Sequence, residues 1–505
     1  MTYLLGYDIG SSSVKATLLE AESGKIISTA TSPDKKEMEI TAHKSGWAEQ
    51  DPQIWWKHVK IATAELLSKS KTNTDSIHAI GISYQMHGLV VVDKNIKLLR
   101  PAIIWCDGRA AKLGDKAFHS IGEDKCLNQL LNSPGNFTSS KLKWVKDNEP
   151  EIYERIYKVM LPGDYIAALM TGEIKTTISG LSECVLWDFR DEEIAQFVLD
   201  YYGISPDLIP DSLPAFSIQG KLTKKAAEEL GLRTGIKVSY RAGDQPNNAL
   251  SLNVLEPGEI AATAGTSGVV YAVSDKLICD TKSRVNTFIH VHHTLSNPRY
   301  GILLCINGTG ILNSWVKRIL SGVGDVKITY EEVNKIASQA PVGSEGLVVI
   351  PFGNGAERVL ENHAPGASIC NLRFNTHGLP HYLRAVQEGI VFALNYGVNI
   401  MRNIGVEVKT VKAGHTNMFL SPLFSEAFAT ITGVNLELYN TDGSQGAARA
   451  AGIGAGIYKT FKDAYNGLKK IKVFEPDLNS SAAYREAYER WLKILQTQLE
   501  QGNYE

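Results

Sequence analysis

The sequence predicts a two-domain α/β protein built on a duplicated plan, and three observations carry that prediction. The chain has 505 residues, too many for one hydrophobic core. Three antiparallel strands, a helix and further strands follow one another at the start, an α/β order. Finally, two short Gly/Ser/Thr hairpins recur about half a chain apart. They are Leu5-Gly6-Tyr7-Asp8-Ile9-Gly10-Ser11-Ser12-Ser13-Val14-Lys15 and Ala261-Ala262-Thr263-Ala264-Gly265-Thr266-Ser267-Gly268-Val269-Val270. In each, an apolar strand enters a turn of small residues and another leaves. Such turns let backbone N–H groups approach phosphate oxygens. Two of them point to a duplicated fold gripping one nucleotide from both sides.

Residues 4–10, 14–20 and 26–31 read as successive strands with turns at Ser11-Ser12-Ser13 and Glu22-Ser23-Gly24-Lys25. Residues 52–70 read as a helix, with Pro52 near its start and Ile54, Trp55, Val59, Ala62 and Leu66 at helical spacing. Strands follow at 77–83 and 88–92. Residues 141–170 read as mostly helical, broken at Pro150 and Pro162, and the proline-bearing 191–237 region as peripheral connection. A strand at 237–243 runs into Gly243-Asp244-Gln245-Pro246-Asn247-Asn248 and a helix. Pro257-Gly258 marks the break between an N-terminal domain, 1–250, and a C-terminal domain, 251–505. The second half repeats the pattern with strands at 259–263, 268–274, 301–306 and 408–414. Its helices read at 310–320, 379–403, 422–433 and 444–458, the last rich in Ala and Gly, before an amphipathic tail at 483–500.

Hydrophobic residues make up 44%, charged residues 21%, and the formal net charge is −2, so no global field recruits nucleic acid or an anionic membrane. The six cysteines, Cys106, Cys126, Cys184, Cys279, Cys305 and Cys370, form no C-x-x-C pair. Structural zinc and a disulfide framework are therefore not expected. The first residues lack a basic region, Asp8 interrupts the apolar run, and no apolar stretch nears the roughly 18 residues of a membrane span. Cytoplasmic residence is the expectation.

Each candidate site residue has a structural and a chemical reading. Asp8 is the only acid in either hairpin segment; it precedes Gly-Ser-Ser-Ser and Lys15, a set suited to a metal and phosphates, although strand-end acids also bond their own turns. Asp244 reads equally as a helix N-cap and as a carboxylate at the C-terminal edge of a sheet, where α/β folds bind ligands. Gln85-Met86-His87-Gly88 places a histidine at a tight turn with no metal-ligand spacing around it. Trp105-Cys106-Asp107-Gly108-Arg109 fits a polyol site or, with nearly equal weight, a helix start with a core tryptophan. Gly414-His415-Thr416-Asn417 follows a strand and fits a base or phosphate contact. The sequence has no G-x-x-x-x-G-K-[ST], no G-x-G-x-x-G after its first strand and no G-x-S-x-G.

Together these segments resemble the FGGY carbohydrate kinases. The match runs through Gly6-Tyr7-Asp8-Ile9-Gly10-Ser11-Ser12, Trp47-Ala48-Glu49-Gln50-Asp51-Pro52, Gln85-Met86-His87-Gly88, Arg100 to Arg109, Gly243-Asp244, Gly265-Thr266-Ser267-Gly268, and Asp442-Gly443 with Gly446-Ala447-Ala448. The resemblance implies two RNase H-like (actin-like ATPase) domains with an interdomain active-site cleft, ATP mainly on the second and sugar on the first. It implies transfer of the γ-phosphate of ATP, with Mg²⁺, to a sugar, D-xylulose and its 5-hydroxyl being the nearest match, and a homodimer. Asp244 is then the general base and Asp8 acts at the Mg²⁺–phosphate end through water. Met86, His87, Trp105, Asp107, Arg109 and Gln245 face the sugar. Ser11, Ser12, Ser13, Lys15, Gly265, Thr266, Gly310, Gly414 and Asn417 meet the nucleotide. The sequence departs from the commoner family pattern at Ala242-Gly243-Asp244-Gln245-Pro246-Asn247, where Gly-Gly-Gly-Asp-Asn-Ala is usual. It departs again at Ala413-Gly414-His415-Thr416 and Ala356-Glu357-Arg358-Val359-Leu360. These changes leave the sugar open: ribulose, gluconate or glycerol are alternatives, and a non-catalytic sugar sensor or actin-like assembly protein is the rival from another class.

Overall fold

A computed structural model describes residues 1–34, 37–322 and 328–501. The chain divides into two compact units, each discontinuous in sequence. The first comprises Met1–Leu255, Phe288–Tyr300 and Thr441–Leu468; the second comprises Glu256–Thr287, Gly301–Asn440 and Lys469–Glu505.

The first unit is built on a six-stranded sheet. Its strands are β1 (Tyr3–Ile9), β2 (Val14–Glu20), β3 (Ile26–Ser32), β4 (Ile77–Tyr84), β5 (Phe216–Lys221) and β6 (Lys237–Gly243). They lie in the order β3-β2-β1-β4-β6-β5. β1 and β2 form the hairpin, β1, β4 and β6 run parallel, and β5 closes the edge antiparallel. β5 lies inside the region read as peripheral connection. The prolines at 206, 210 and 214 precede it, and its outward Ile218 is exposed, so no clean apolar alternation marks it. Two further sequence readings change: Lys158–Met160 is a strand between helices, and the 88–92 strand is only Val90–Val92, Gly88 being packed against Pro162.

The Pro52–Ser70 helix covers one face. Asp51 caps it by accepting from the Gln53 N–H, and Trp55, Val59, Ala62 and Leu66 turn inward at helical spacing. The Gly443–Gly454 helix packs on β1 and β4 with almost no side chain between. A Cβ on Gly6 would sit 2.0 Å from the Ser444 carbonyl, and one on Gly81 2.0 Å from that of Ala447. The small residues are thus a fit between backbones, sealed by Leu4, Leu19, Ala79, Ala448 and Ala451. The Thr17 and Ser444 hydroxyls close the contact at 2.7 Å.

The second unit repeats the plan with β7 (Glu259–Ala264), β8 (Gly268–Ser274), β9 (Tyr300–Ile306), β10 (Thr410–Gly414), β11 (Asn435–Tyr439) and β12 (Lys470–Phe474). These run in the order β9-β8-β7-β10-β11-β12 within its main sheet. Again a hairpin leads, β7, β10 and β11 are parallel, and the last strand is antiparallel. Both units therefore follow the RNase H-like plan. The Leu379–Asn403 helix fills the second core, with Trp491 of the Ser481–Gln501 helix donating to the Val349 carbonyl at 3.1 Å. No helix among the described residues is long and apolar enough to cross a membrane, and no disulfide joins any two of the six cysteines, all of which are described.

Candidate active site

In the first unit the parallel register aligns Asp8 of β1, Ser83 of β4 and Ala242 of β6 in one row at the carboxyl ends of the strands. The Ser83 hydroxyl donates to Asp8 Oδ1 at 2.8 Å. Asp244 follows β6 as the first residue of the Asp244–Ser251 helix, with Gly243 at the cap position. Asp244 is therefore not the N-cap. It lies in the first turn, where the helix dipole favours an anion. The Gly443–Gly454 helix also begins here. Asp442 caps it by accepting from the Gln445 N–H at 3.1 Å and the Ser444 hydroxyl at 2.8 Å. The two helix starts are tied together: Asn247 Nδ2 donates to the Gly443 carbonyl at 2.8 Å, and the Ser251 hydroxyl to that of Asp442 at 2.7 Å.

Desolvation raises the Asp8 carboxyl above its ordinary value; Lys15, its cross-strand neighbour, and Ser83 draw it back, and Asp442 adds a smaller rise. Asp244 is pushed up to about 7, first by burial and then by the charge of Asp8, against the hydrogen bonds from Gln245. Two carboxylates in one pocket cannot ionise independently. Asp244 titrates where a general base at neutral pH should.

Next to Asp244 lies the Met86–His87 turn. A Cβ on Gly243 would meet Met86 Cγ at 2.5 Å and Glu183 Oε2 at 2.7 Å. Glycine there is what lets the turn and the strand end approach. The His87 ring packs edge-on to Phe137, centroids 4.8 Å apart.

The Trp105–Arg109 segment is arranged differently. Asp107 is fully buried and accepts from the Ala48 N–H at 2.5 Å and from Arg109 at 2.7 Å. Arg109 also donates to Glu49 at 2.7 Å and lies over the Trp47 ring, 3.8 Å from its centroid. The groups of Asp107 and Arg109 thus engage one another and Glu49, while Trp105 is exposed, its indole N–H 3.5 Å from Ser11 Oγ. The turn Ser11-Ser12-Ser13 closes by a Gly10 N–H to Ser13 carbonyl bond of 3.0 Å, and Gln50 Nε2 donates to the Ser11 carbonyl at 2.8 Å.

The second unit gathers its own predicted residues. The Gly310–Ser321 helix starts against the second hairpin: the Gly310 N–H donates to the Gly265 carbonyl at 2.8 Å, and the Thr309 hydroxyl to the Gly265 and Thr266 carbonyls at 3.2 and 3.1 Å. A Cβ on Gly310 would stand 2.2 Å from the Gly265 carbonyl. Asn417 Nδ2 lies 3.5 Å from where a Gly265 Cβ would be, and Gly414 ends β10 beside it. Ser83, Glu183 and Lys141 escaped the sequence reading. Ser83 is found only through strand register, and nothing local marks the other two as interior.

Family models agree with this geometry. The N-terminal domain model of the FGGY family of carbohydrate kinases matches residues 3–251, and its C-terminal domain model residues 260–455. The chain is 28% identical over 502 residues to the xylulose kinase of Bacillus subtilis (strain 168), covering 98% of this chain and 97% of the relative. It is 30% identical over 475 residues to the xylulose kinase of Staphylococcus xylosus, covering 92% and 93%. Among solved structures, ligand-bound xylulose kinase from Lactobacillus acidophilus superposes with a TM-score of 0.87 at 22% identity, over 98% of both chains. Gluconate kinase from the same organism gives 0.86 at 22%, over 99% of this chain and 98% of that one. At such identity the likeness speaks to the fold alone. The chain belongs to the FGGY family of carbohydrate kinases and is an ATP-dependent sugar phosphotransferase.

Proposed function

We propose that the enzyme transfers the γ-phosphate of ATP to the 5-hydroxyl of D-xylulose, giving D-xylulose 5-phosphate and ADP. The observation that carries the chemistry is Asp244, a carboxylate pushed up to about 7 at a strand end, beside Asp8 and the Met86–His87 turn. The relatives named xylulose kinase support the choice of sugar.

In this reading Met86, His87 and Gln245 hold the ketose, with Trp105 as an outer wall and Asp107 and Arg109 shaping the pocket. Asp244 accepts the hydroxyl proton as the oxygen attacks the γ-phosphorus; the new P–O bond forms as the bond to the β-phosphate oxygen breaks, and ADP leaves. Gly265, Thr266, Gly310, Gly414 and Asn417 hold the nucleotide. Ser11, Ser12, Ser13 and Lys15 present N–H groups, hydroxyls and an amine to the phosphates.

The chain's residues fit a Mg²⁺ that arrives with the nucleotide. No group of three or more His, Cys, Asp or Glu among the described residues makes a metal cage, and Mg²⁺ commonly takes one or two carboxylates plus water and phosphate oxygens. Asp8 would be that carboxylate, through water. Its Oδ2 faces Gly443, where a Cβ would come within 2.5 Å. When bound, Mg²⁺ offsets charge on the phosphates.

The test is coupled ADP release with Mg-ATP across D-xylulose, L-xylulose, D-ribulose, L-ribulose, glycerol and gluconate. The highest kcat/KM should fall on D-xylulose. A clear preference for another member overturns the substrate.

A further inference from the structure

His87 is a non-glycine residue in the left-handed region, φ 58°. Such a backbone persists only where its surroundings over-determine it. Here two buried ionisable side chains grip both of its peptide planes. The His87 N–H donates to Glu183 Oε1 at 3.2 Å, and the His87 carbonyl accepts from Lys141 Nζ at 2.9 Å. The imidazole Nδ1 is 3.0 Å from the Glu183 carbonyl. Glu183 is 1% exposed and Lys141 fully buried.

Each clamp reaches a second part of the same site. Lys141 Nζ also donates to the Ile104 carbonyl at 3.0 Å, one residue before Trp105. Glu183 Oε2 accepts from the Tyr84 hydroxyl at 3.4 Å and lies against Gly243, the residue before Asp244. Burying a carboxyl and an amine is costly, and apolar side chains of similar size would fill the same space more cheaply. What apolar side chains cannot do is hold the two peptide groups of a left-handed residue.

We infer that Glu183 and Lys141 are positioning residues that fix the Met86–His87 turn for the ketose and hold it in register with Asp244. The inference rests on the reading of Met86 and His87 as sugar contacts. Its consequence is that sugar recognition depends on two residues that never touch the sugar.

The experiment varies D-xylulose and ATP separately for wild type, Glu183→Gln, Glu183→Leu, Lys141→Met and His87→Ala, with thermal unfolding as the check on folding. Glu183→Leu should raise the D-xylulose KM about 10-fold or more, the scale of a lost hydrogen bond to a buried group. Glu183→Gln, which keeps an acceptor oxygen for the His87 N–H, should recover most of that loss, and the ATP KM should stay put in both. Lys141→Met should follow Glu183→Leu; should it not fold, the Gln/Leu pair still decides. If His87→Ala raises the sugar KM while Glu183→Leu does not, or if the ATP and sugar KM values rise together in Glu183→Leu, the positioning role is overturned. If His87→Ala itself leaves the sugar KM unchanged, the sugar-contact reading fails, and the inference with it.

Discussion

In the first unit the strand entering the hairpin ends Asp8-Ile9-Gly10; in the second it ends Thr263-Ala264-Gly265. The strand orders and directions around the two hairpins match. Around Asp8 the first unit gathers a hydroxyl, a lysine and two further carboxylates, and burial raises the carboxyls of Asp8 and Asp244. The matching strand end, Thr263-Ala264-Gly265, itself carries no acid. The turn is instead latched by Thr309 and Gly310 to the start of a helix. The first N–H groups of that helix, those of Gly310 and Ile311, donate to the Gly265 and Thr266 carbonyls and so hold the small-residue turn in place, and a carboxylate there would repel phosphate. One backbone plan, repeated, thus carries carboxylates in one copy and a turn latched to a helix in the other; in the proposed reading the first accepts the proton and faces Mg²⁺ and the second holds the nucleotide.

The comparison can be broken or sharpened at matched positions. The largest effect is expected for Asp244→Asn, which should lower kcat by roughly 1,000-fold or more while the D-xylulose KM moves little, read by coupled ADP release. Next, Asp8→Asn should lower kcat by about 100-fold, whereas Thr263→Val at the matching place should stay within about threefold. Equal losses at both positions would erase the asymmetry. Third, two glycine substitutions should separate the copies. Gly443→Ala, whose Cβ would meet Asp8 Oδ2 at 2.5 Å, should lower kcat about 10-fold. Gly310→Ala, whose Cβ would meet the Gly265 carbonyl at 2.2 Å, should instead raise the ATP KM about 10-fold and spare the sugar KM.

A last prediction concerns stability rather than turnover. Asp244 ionises at about 7 in the folded chain against an ordinary 3.8. Folding therefore takes up a proton between those values, so this residue's destabilising effect is absent below 3.8, grows as pH rises, and is complete above about 7. Allowing for solvent reaching the half-buried carboxylate, that effect is on the order of 3 kcal/mol. Asp244→Asn removes it, so in denaturant titrations without nucleotide the variant should gain on wild type more at pH 8 than at pH 5.

Much of this asymmetry was legible beforehand. The two hairpins, the lone acid in the first, and the Gly243-Asp244 strand end are local patterns, and so is the Ala/Gly richness of the Gly443–Gly454 helix. What that helix packs against was not legible, because its partners Gly6 and Gly81 lie hundreds of residues away. Asp244 could be read as a cap because sequence does not reveal whether an acid stands before the helix or inside its first turn. β5 hid behind three prolines. Ser83 became visible only once register set it beside Asp8, and Glu183 and Lys141 look like surface residues in a string of letters. Their burial is a tertiary fact.

The most direct test of the account is the pH dependence of kcat/KM for D-xylulose at saturating Mg-ATP, in wild type and Asp244→Asn. The account predicts a wild-type rate that rises with pH through a midpoint near 7, and a low residual rate in Asp244→Asn from which that rise is gone. A variant that keeps the same rise, or turns over at the wild-type rate, would contradict Asp244 as the group that takes the sugar's proton.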